Sequence, residues 1–251
     1  MSDIRIVRSE KDSIIVFKSV LGNEIPLYEF PPLLTPRCEI CQAPTSLKYC
    51  RYHKSLEMNG FPRLIKSIDI LGYYSTDFEG NPKNPLTKLI QKVKKEYIEE
   101  EIINIFTKVI KFRIKERVLD FNLITYVPSR EKHLSLKKIS LEVSRDYKLK
   151  LIPSEEFIIL KNIGLTRDIS DYYKRKEFVN EKFKKKDSIE TDLNISGKLL
   201  IIDDIINTGW TVSKIASILK EIFPNLSTIE VFCLGKVLPK GKILNSNLTF
   251  K

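Results

Sequence analysis

The segment Leu199 to Thr211, LLIIDDIINTGWT, limits what this chain can fold into more than any other stretch. Leu199 to Ile202 is a short apolar run that fits a strand covered on both faces of a parallel sheet. Asp203 and Asp204 follow at its carboxyl end. In open α/β sheets ligands bind at that edge, where two carboxylates can accept hydrogen bonds from vicinal hydroxyls or bind a metal through water. Asn207, Thr208, Gly209 and Trp210 then read as a turn, and Thr211 opens an amphipathic segment, Val212 to Phe223. Its apolar positions Val212, Ile215, Ala216, Ile218, Leu219 and Ile222 recur at helical spacing. A turn of this kind aims backbone N–H groups and a positive helix end at one point, which suits a phosphate monoester. The whole segment therefore predicts a ribose-phosphate site. The plainer alternative is a buried strand whose two acids cap the next helix.

Cysteine spacing carries the second signal. In CEICQAPTSLKYCRYH, Cys38, Cys41, Cys50 and His53 are spaced C-x2-C-x8-C-x2-H. Three thiolates and an imidazole suit tetrahedral Zn²⁺, and four protein ligands leave no open position for water, so the metal would be structural. A disulfide framework would be expected in a small secreted domain behind a signal peptide. The fourth cysteine of the chain, Cys233, lies in the apolar run IEVFCLG and reads as a buried core thiol.

With 251 residues the chain can hold one α/β domain and a small module that a metal would stabilise. The sequence begins without a charged and then apolar leader and contains no run of transmembrane length, which predicts a soluble, cytoplasmic protein. A formal net charge of +11 favours an anionic partner, whether nucleotide, nucleic acid or acidic protein. Abundant lysine and isoleucine would also follow from a biased composition or a hot habitat.

Along the chain, Asp3 to Val7 and Ser13 to Phe17 alternate as a hairpin, and Pro26 to Pro36 reads as a connector into the cysteine cluster. Ile65 to Tyr74 is strand-like, Phe78 to Leu86 is turn-rich, and Leu86 to Lys115 predicts one or two helices. Phe121 to Val127 predicts a second buried strand, ending in Tyr126 to Arg130, YVPSR. There Ser129 offers a hydroxyl and an N–H, and Arg130 can fork onto a pyrophosphate oxygen; Lys132 and His133 follow as weaker candidates. Leu134 to Asp146 reads as a helix and Glu156 to Leu160 as a strand. Lys161 to Leu193 is long, basic and interleaved with Tyr172, Tyr173, Phe178 and Phe183. Such a segment serves as a lid, as a single-stranded nucleic-acid surface, or as a solvated helix ending in the run Lys184 to Lys186; Arg167 and Arg175 are its candidate phosphate contacts.

Leu199 to Thr211 closely resembles the phosphoribosyl pyrophosphate (PRPP) signature of type I phosphoribosyltransferases: four apolar residues, two acids, two apolar residues and a Thr-Gly-x-Thr loop. The resemblance implies that Asp203 and Asp204 hold the ribose hydroxyls and support a cationic sugar, and that Asn207, Thr208, Gly209, Trp210 and Thr211 take the 5′-phosphate. Trp210 stands where small or flexible residues are common. The order of parts, from the cysteine cluster through the strand with Tyr73 and Tyr74, PLTKLIQKVKKEY, the VPSR loop and the basic segment to the acidic signature, is similar to the ComF-type competence family. That likeness spans about Cys38 to Leu238. It implies a type I phosphoribosyltransferase-like doubly wound parallel sheet over residues 61–251, preceded at residues 1–60 by a hairpin and a zinc-ribbon-like module. The family's Arg-Gly-Phe-Asn-Gln stretch is not recognisable near Glu131 to Leu136, its later glutamine is absent around Thr166 to Asp171, and Arg175 and Asn180 match its loop only loosely.

Two functions follow from the resemblance. One is Mg²⁺-dependent transfer of phosphoribosyl from PRPP, with Asp203, Asp204 and Arg130 as catalytic residues; no residue specifies the acceptor, so purine, pyrimidine and other acceptors stay open. The other is a non-catalytic DNA uptake or processing protein that binds nucleic acid on the same fold.

Overall fold

The computed structural model describes residues 4–8, 13–18, 24–28, 38, 49, 64–74, 85–94, 99–116, 120–129, 134–164, 169, 171–187, 189 and 194–237. Near the amino terminus, β1 (Ile4–Arg8), β2 (Ser13–Lys18) and β3 (Glu24–Tyr28) form an antiparallel sheet in that order. The expected hairpin is present, with Ile4 opposite Phe17. A third strand replaces the start of the expected connector, since Pro26 lies in β3 opposite Val16. As the outer strand, β3 tolerates a proline that would break a central ladder. Cys38 is fully buried. Cys41, Cys50 and His53 lie outside the described residues.

The rest of the chain alternates strands and helices: β4 (Ile65–Tyr74), α1 (Pro85–Val93), α2 (Glu100–Glu116), β5 (Leu123–Tyr126), α3 (Ser135–Tyr147), β6 (Lys150–Leu151), α4 (Ser154–Phe157) and β7 (Ile158–Leu160). Then come α5 (Tyr172–Lys182), β8 (Phe183–Lys185), β9 (Gly197–Ile206), α6 (Trp210–Ile222) and β10 (Leu226–Val237). Five strands make one sheet in the order β4-β10-β9-β5-β6, with every pair parallel. The predicted α/β architecture with a parallel sheet is therefore observed.

Side-chain alternation explains the two helical layers. On β9, Leu199 and Ile201 join the core beneath α6 with Val212, Ile215 and Leu219. Leu200 and Ile202 join the opposite core with Ile90 of α1, Phe106 of α2 and Ile139 of α3. Each such side chain, once fully buried, contributes roughly 1.5–3 kcal/mol, so these two faces hold the sheet in place. The crossover from β5 through α3 runs outward to β6, whereas β9 continues through α6 in the other direction to β10. The carboxyl ends of β5 and β9 are thus a topological switch point, where the two following loops diverge and leave a crevice.

Two expectations for the middle of the chain change. Glu156 and Phe157 belong to the short α4, so the strand starts at Ile158. The basic segment contains a helix and a strand: β8 pairs antiparallel with β7, Phe183 opposite Leu160 and Lys185 opposite Ile158. Asp171 caps α5 by accepting from the Lys174 N–H at 2.7 Å. Val179 and Phe183 bury against the α6 side of the core, which gives this basic segment an apolar underside.

Candidate functional site

A crevice of about 700 Å³ lies at the switch point. Its floor is the end of β9, Asp203 to Ile206, followed by Asn207, Thr208 and Gly209 and the start of α6 at Thr211 and Val212. Ser129 after β5 forms one side, and Lys94 and Tyr74 line another. The β7–α5–β8 flap closes the third side with Leu160, Arg175, Lys182 and Phe183. Sequence reasoning placed Asp203, Asp204, Asn207, Thr208, Gly209, Trp210, Thr211, Ser129 and Arg175 at a ligand site, and the fold gathers all of them except Trp210 around one cavity. Arg130, Arg167, Lys132 and His133 lie outside the described residues.

The acids do not sit beyond the strand as expected. The strand continues through Ile206, so both are part of its ladder, with Asp203 paired in register with Cys233 of β10. Alternation turns them to different sides. Asp203 is 5% exposed, and its Oδ1 accepts the Asp204 N–H at 2.9 Å. Burial, followed by the neighbouring Asp204 charge, raises its pKa well above the ordinary carboxyl value. Asp204 instead meets the Lys94 ammonium at 3.1 Å just after α1. Burial opposes the charge on Lys94, yet the Asp204 carboxylate outweighs it and the pKa of Lys94 is raised. The pair therefore splits into one buried carboxyl that favours its proton and one that faces an ammonium.

Gly209 caps α6 at φ 83°, a left-handed conformation that glycine adopts without strain, and contributes no side-chain hydrogen bond to the helix start. The first N–H groups of a helix have no carbonyl a turn earlier, so an anion in the crevice can serve them. Trp210 is the first helical residue rather than part of the turn. Its indole packs in the core on the α6 side, with the Lys176 ammonium 5.2 Å from the ring centre. Gly209 and Thr211 on either side of it face the crevice.

Arg175 is 8% exposed, and its Nε and Nη2 donate to the Ile169 carbonyl at 3.0 and 2.5 Å. Burial lowers its pKa, although a guanidinium stays protonated in proteins. Lys182 donates to the Gly164 carbonyl at 3.1 Å and lies over the rings of Phe178 and Phe183. The lysine run points elsewhere in part: Lys185 pairs with Glu221 of α6 at 2.5 Å. Lys94 and Lys182 were not singled out by sequence reasoning. The end of the PLTKLIQKVKKEY helix carried the first of them, but nothing in its spacing tells Lys94 from Lys92 or Lys95.

Chemically, the site offers two carboxyls for hydroxyl groups, a helix start for an anion, a serine and several cations. Among the described residues no helix is long and apolar enough to cross a membrane. No family model matches the chain, and no curated protein matches it significantly. Among solved structures it is similar to a crystal structure of adenine phosphoribosyltransferase, at 11% identity and a TM-score of 0.35, covering 60% of this chain and 89% of that one.

Proposed function

We propose that the crevice binds PRPP or another ribose phosphate, and that the chain is a phosphoribosyltransferase-like protein of ComF type that transfers the phosphoribosyl group to an acceptor nitrogen. One observation carries this reading: the two acids, the turn before α6 and Ser129 line a single cavity at the switch point of a parallel sheet. Asp203 and Asp204 would accept the ribose hydroxyls. The backbone from Asn207 to Thr211 would hold the 5′-phosphate at the positive start of α6. Ser129 and Arg130 would contact the pyrophosphate, with Arg175 supplying charge from the flap. As positive charge develops on the sugar, the carboxyl oxygens of Asp203 and Asp204 would stabilise it. Mg²⁺ bound with the substrate would supply further neutralisation of the pyrophosphate.

A structural Zn²⁺ held by Cys38, Cys41, Cys50 and His53 belongs to the same proposal. Three thiolates and an imidazole fit the metal's preferred donors, and the complete burial of Cys38 suits a closed site. The zinc would contribute folding free energy to the amino-terminal module and take no part in the reaction.

The test is a titration of PRPP with Mg²⁺, followed by thermal stability and by the emission of Trp210, the single tryptophan of the chain. Ligand at one hundred times its dissociation constant should add about 2.7 kcal/mol of stability. The Asp203→Asn, Asp204→Asn double variant should give no response. A wild-type protein that ignores PRPP but binds single-stranded DNA, with affinity falling steeply as salt rises, would replace this reading with nucleic-acid binding.

A further inference from the structure

A lysine lies behind the phosphate turn, outside the crevice wall. Lys236 of β10 is only 2% exposed and is paired in register with Ile206, the last residue of β9 before the turn. Burying an ammonium costs several kcal/mol unless its donors are satisfied, so its location demands a reason. Its Nζ donates to the carbonyl oxygen of Asn207. That carbonyl belongs to the first peptide of the turn.

The peptide plane converts this bond into a direction. The described residues contain no cis peptide bond, and in a trans peptide the C=O of one residue and the N–H of the next point in opposite directions. Holding the Asn207 carbonyl toward the Lys236 ammonium therefore turns the Thr208 N–H away from that ammonium. Asn207 and Thr208 line the crevice whereas Lys236 does not, so the N–H on the side of that peptide away from the ammonium is available to an anion in the cavity. The flipped peptide would present a carbonyl oxygen there and repel an anion. Lys236 also adds a fixed positive charge behind the turn, in a neighbourhood where Asp69, Asp203 and Asp204 all act on Cys233.

We propose that Lys236 is the positioning residue of the phosphate turn: by anchoring the Asn207 carbonyl it makes the turn a donor site for a phosphate dianion. The inference rests on the ribose-phosphate reading for the identity of that anion, whereas the anchor itself can be tested without any ligand.

The experiment compares the ligand-free wild type and Lys236→Met by the carbonyl ¹³C resonance of Asn207, and then titrates both with ribose 5-phosphate. The anchor predicts that the Asn207 carbonyl moves upfield in the variant, and an unmoved resonance overturns it whatever the site binds. In the wild type the Thr208 amide proton should move downfield with ligand, and the dissociation constant should rise about tenfold in the variant, equivalent to about 1.4 kcal/mol. Equal affinity in the two proteins overturns the proposed role. If Lys236→Met does not fold, the wild type decides, because a Thr208 amide that stays still while Ser129 responds refutes the orientation. A wild type that binds no ribose 5-phosphate refutes the ribose-phosphate reading, and with it the anion-positioning role, while the carbonyl comparison still decides whether the anchor exists.

Discussion

Asp203→Asn should make the ligand-free protein more stable at neutral and alkaline pH while abolishing ligand binding. Asp203 is 5% exposed, and burial together with the Asp204 charge raises its pKa well above the usual carboxyl range. From the unfolded pKa near 4 up to the raised folded value, the native state keeps a proton that the unfolded chain has lost. Stability must therefore fall as pH rises through that window, with a slope of at most about 1.4 kcal/mol per pH unit for one proton. Above the folded pKa the loss is complete and constant. Asparagine keeps the size of the side chain and an Oδ1 that can still accept the Asp204 N–H, now made at 2.9 Å. It removes only the titration.

The difference in unfolding free energy between variant and wild type should accordingly grow with pH and then level off. Each kcal/mol corresponds to about 2–4 °C in melting temperature for a domain of this size. Asp204→Asn provides the contrast. Its side chain is 25% exposed and its partner Lys94 is 46% exposed, so the 3.1 Å pair contributes at most about 1 kcal/mol after solvent screening. Because the pKa of Lys94 is raised, the contribution of the lysine is present at pH 7 and is lost as pH rises through the raised lysine pKa. Removing Asp204 also relieves its repulsion of Asp203, so the net change at pH 7 should stay within about 1 kcal/mol. Chemical denaturation between about pH 4 and pH 8 measures both variants. A flat Asp203→Asn difference curve, or a wild type that gains on the variant as pH rises, would refute the assignment of a buried, proton-favouring carboxyl.

Gly235→Ala places a Cβ 2.7 Å from Ile90 Cδ1 and 3.1 Å from Tyr74 Cβ; overpacking of this kind should cost about 1–3 kcal/mol in denaturant unfolding and weaken ligand binding through the adjacent Asp204 backbone. Arg175→Met should lower PRPP affinity about tenfold, with a smaller effect on ribose 5-phosphate, because its guanidinium stands on the flap wall; calorimetric titration of both ligands checks this. Cys38→Ser should release zinc, measured as loss of one metal per chain by native mass spectrometry, and should lower the unfolding temperature of the amino-terminal module without changing ribose 5-phosphate affinity.

The sequence made the sheet legible where the pattern was strong. Ile65 to Tyr74 is the observed β4, and the helical period from Val212 onward is the observed α6. Its errors have physical causes. Asp203 and Asp204 were expected just past the strand because charged residues usually end a buried run, whereas pairing with β10 carries the ladder on to Ile206. Trp210 was counted with the turn because the glycine before it looks like turn chemistry, although Gly209 acts as the helix cap. The basic segment was open to reading as a lid or a helix, but its strand β8 and the pairing with β7 were not legible, because only Val179, Phe183 and their neighbours mark the buried side of a segment dominated by charge. Lys94 and Lys236 were hidden for a different reason. A lysine after a helix or within a strand resembles any other surface lysine until tertiary structure brings Asp204 or Asn207 to it.

The charges around the crevice also narrow the chemistry of what belongs there. A buried carboxyl beside a second carboxyl, a buried ammonium on a backbone carbonyl and a buried guanidinium on another carbonyl are each costly arrangements for folding alone. The carboxyls and the guanidinium line the cavity, and the ammonium holds the turn that lines it. A ligand bearing only anions would be attracted to the helix start and Arg175 but repelled by Asp204. A neutral sugar would match the acids and leave the cations without an anion in the crevice. A phosphorylated ribose carries vicinal hydroxyls for the acids and a phosphate for the turn, and a pyrophosphate at its other end would face the Ser129 and flap side. The Asp203→Asn variant is informative for such a ligand, since the same substitution should raise stability and exchange a carboxyl oxygen for an amide donor where a ribose hydroxyl would be held.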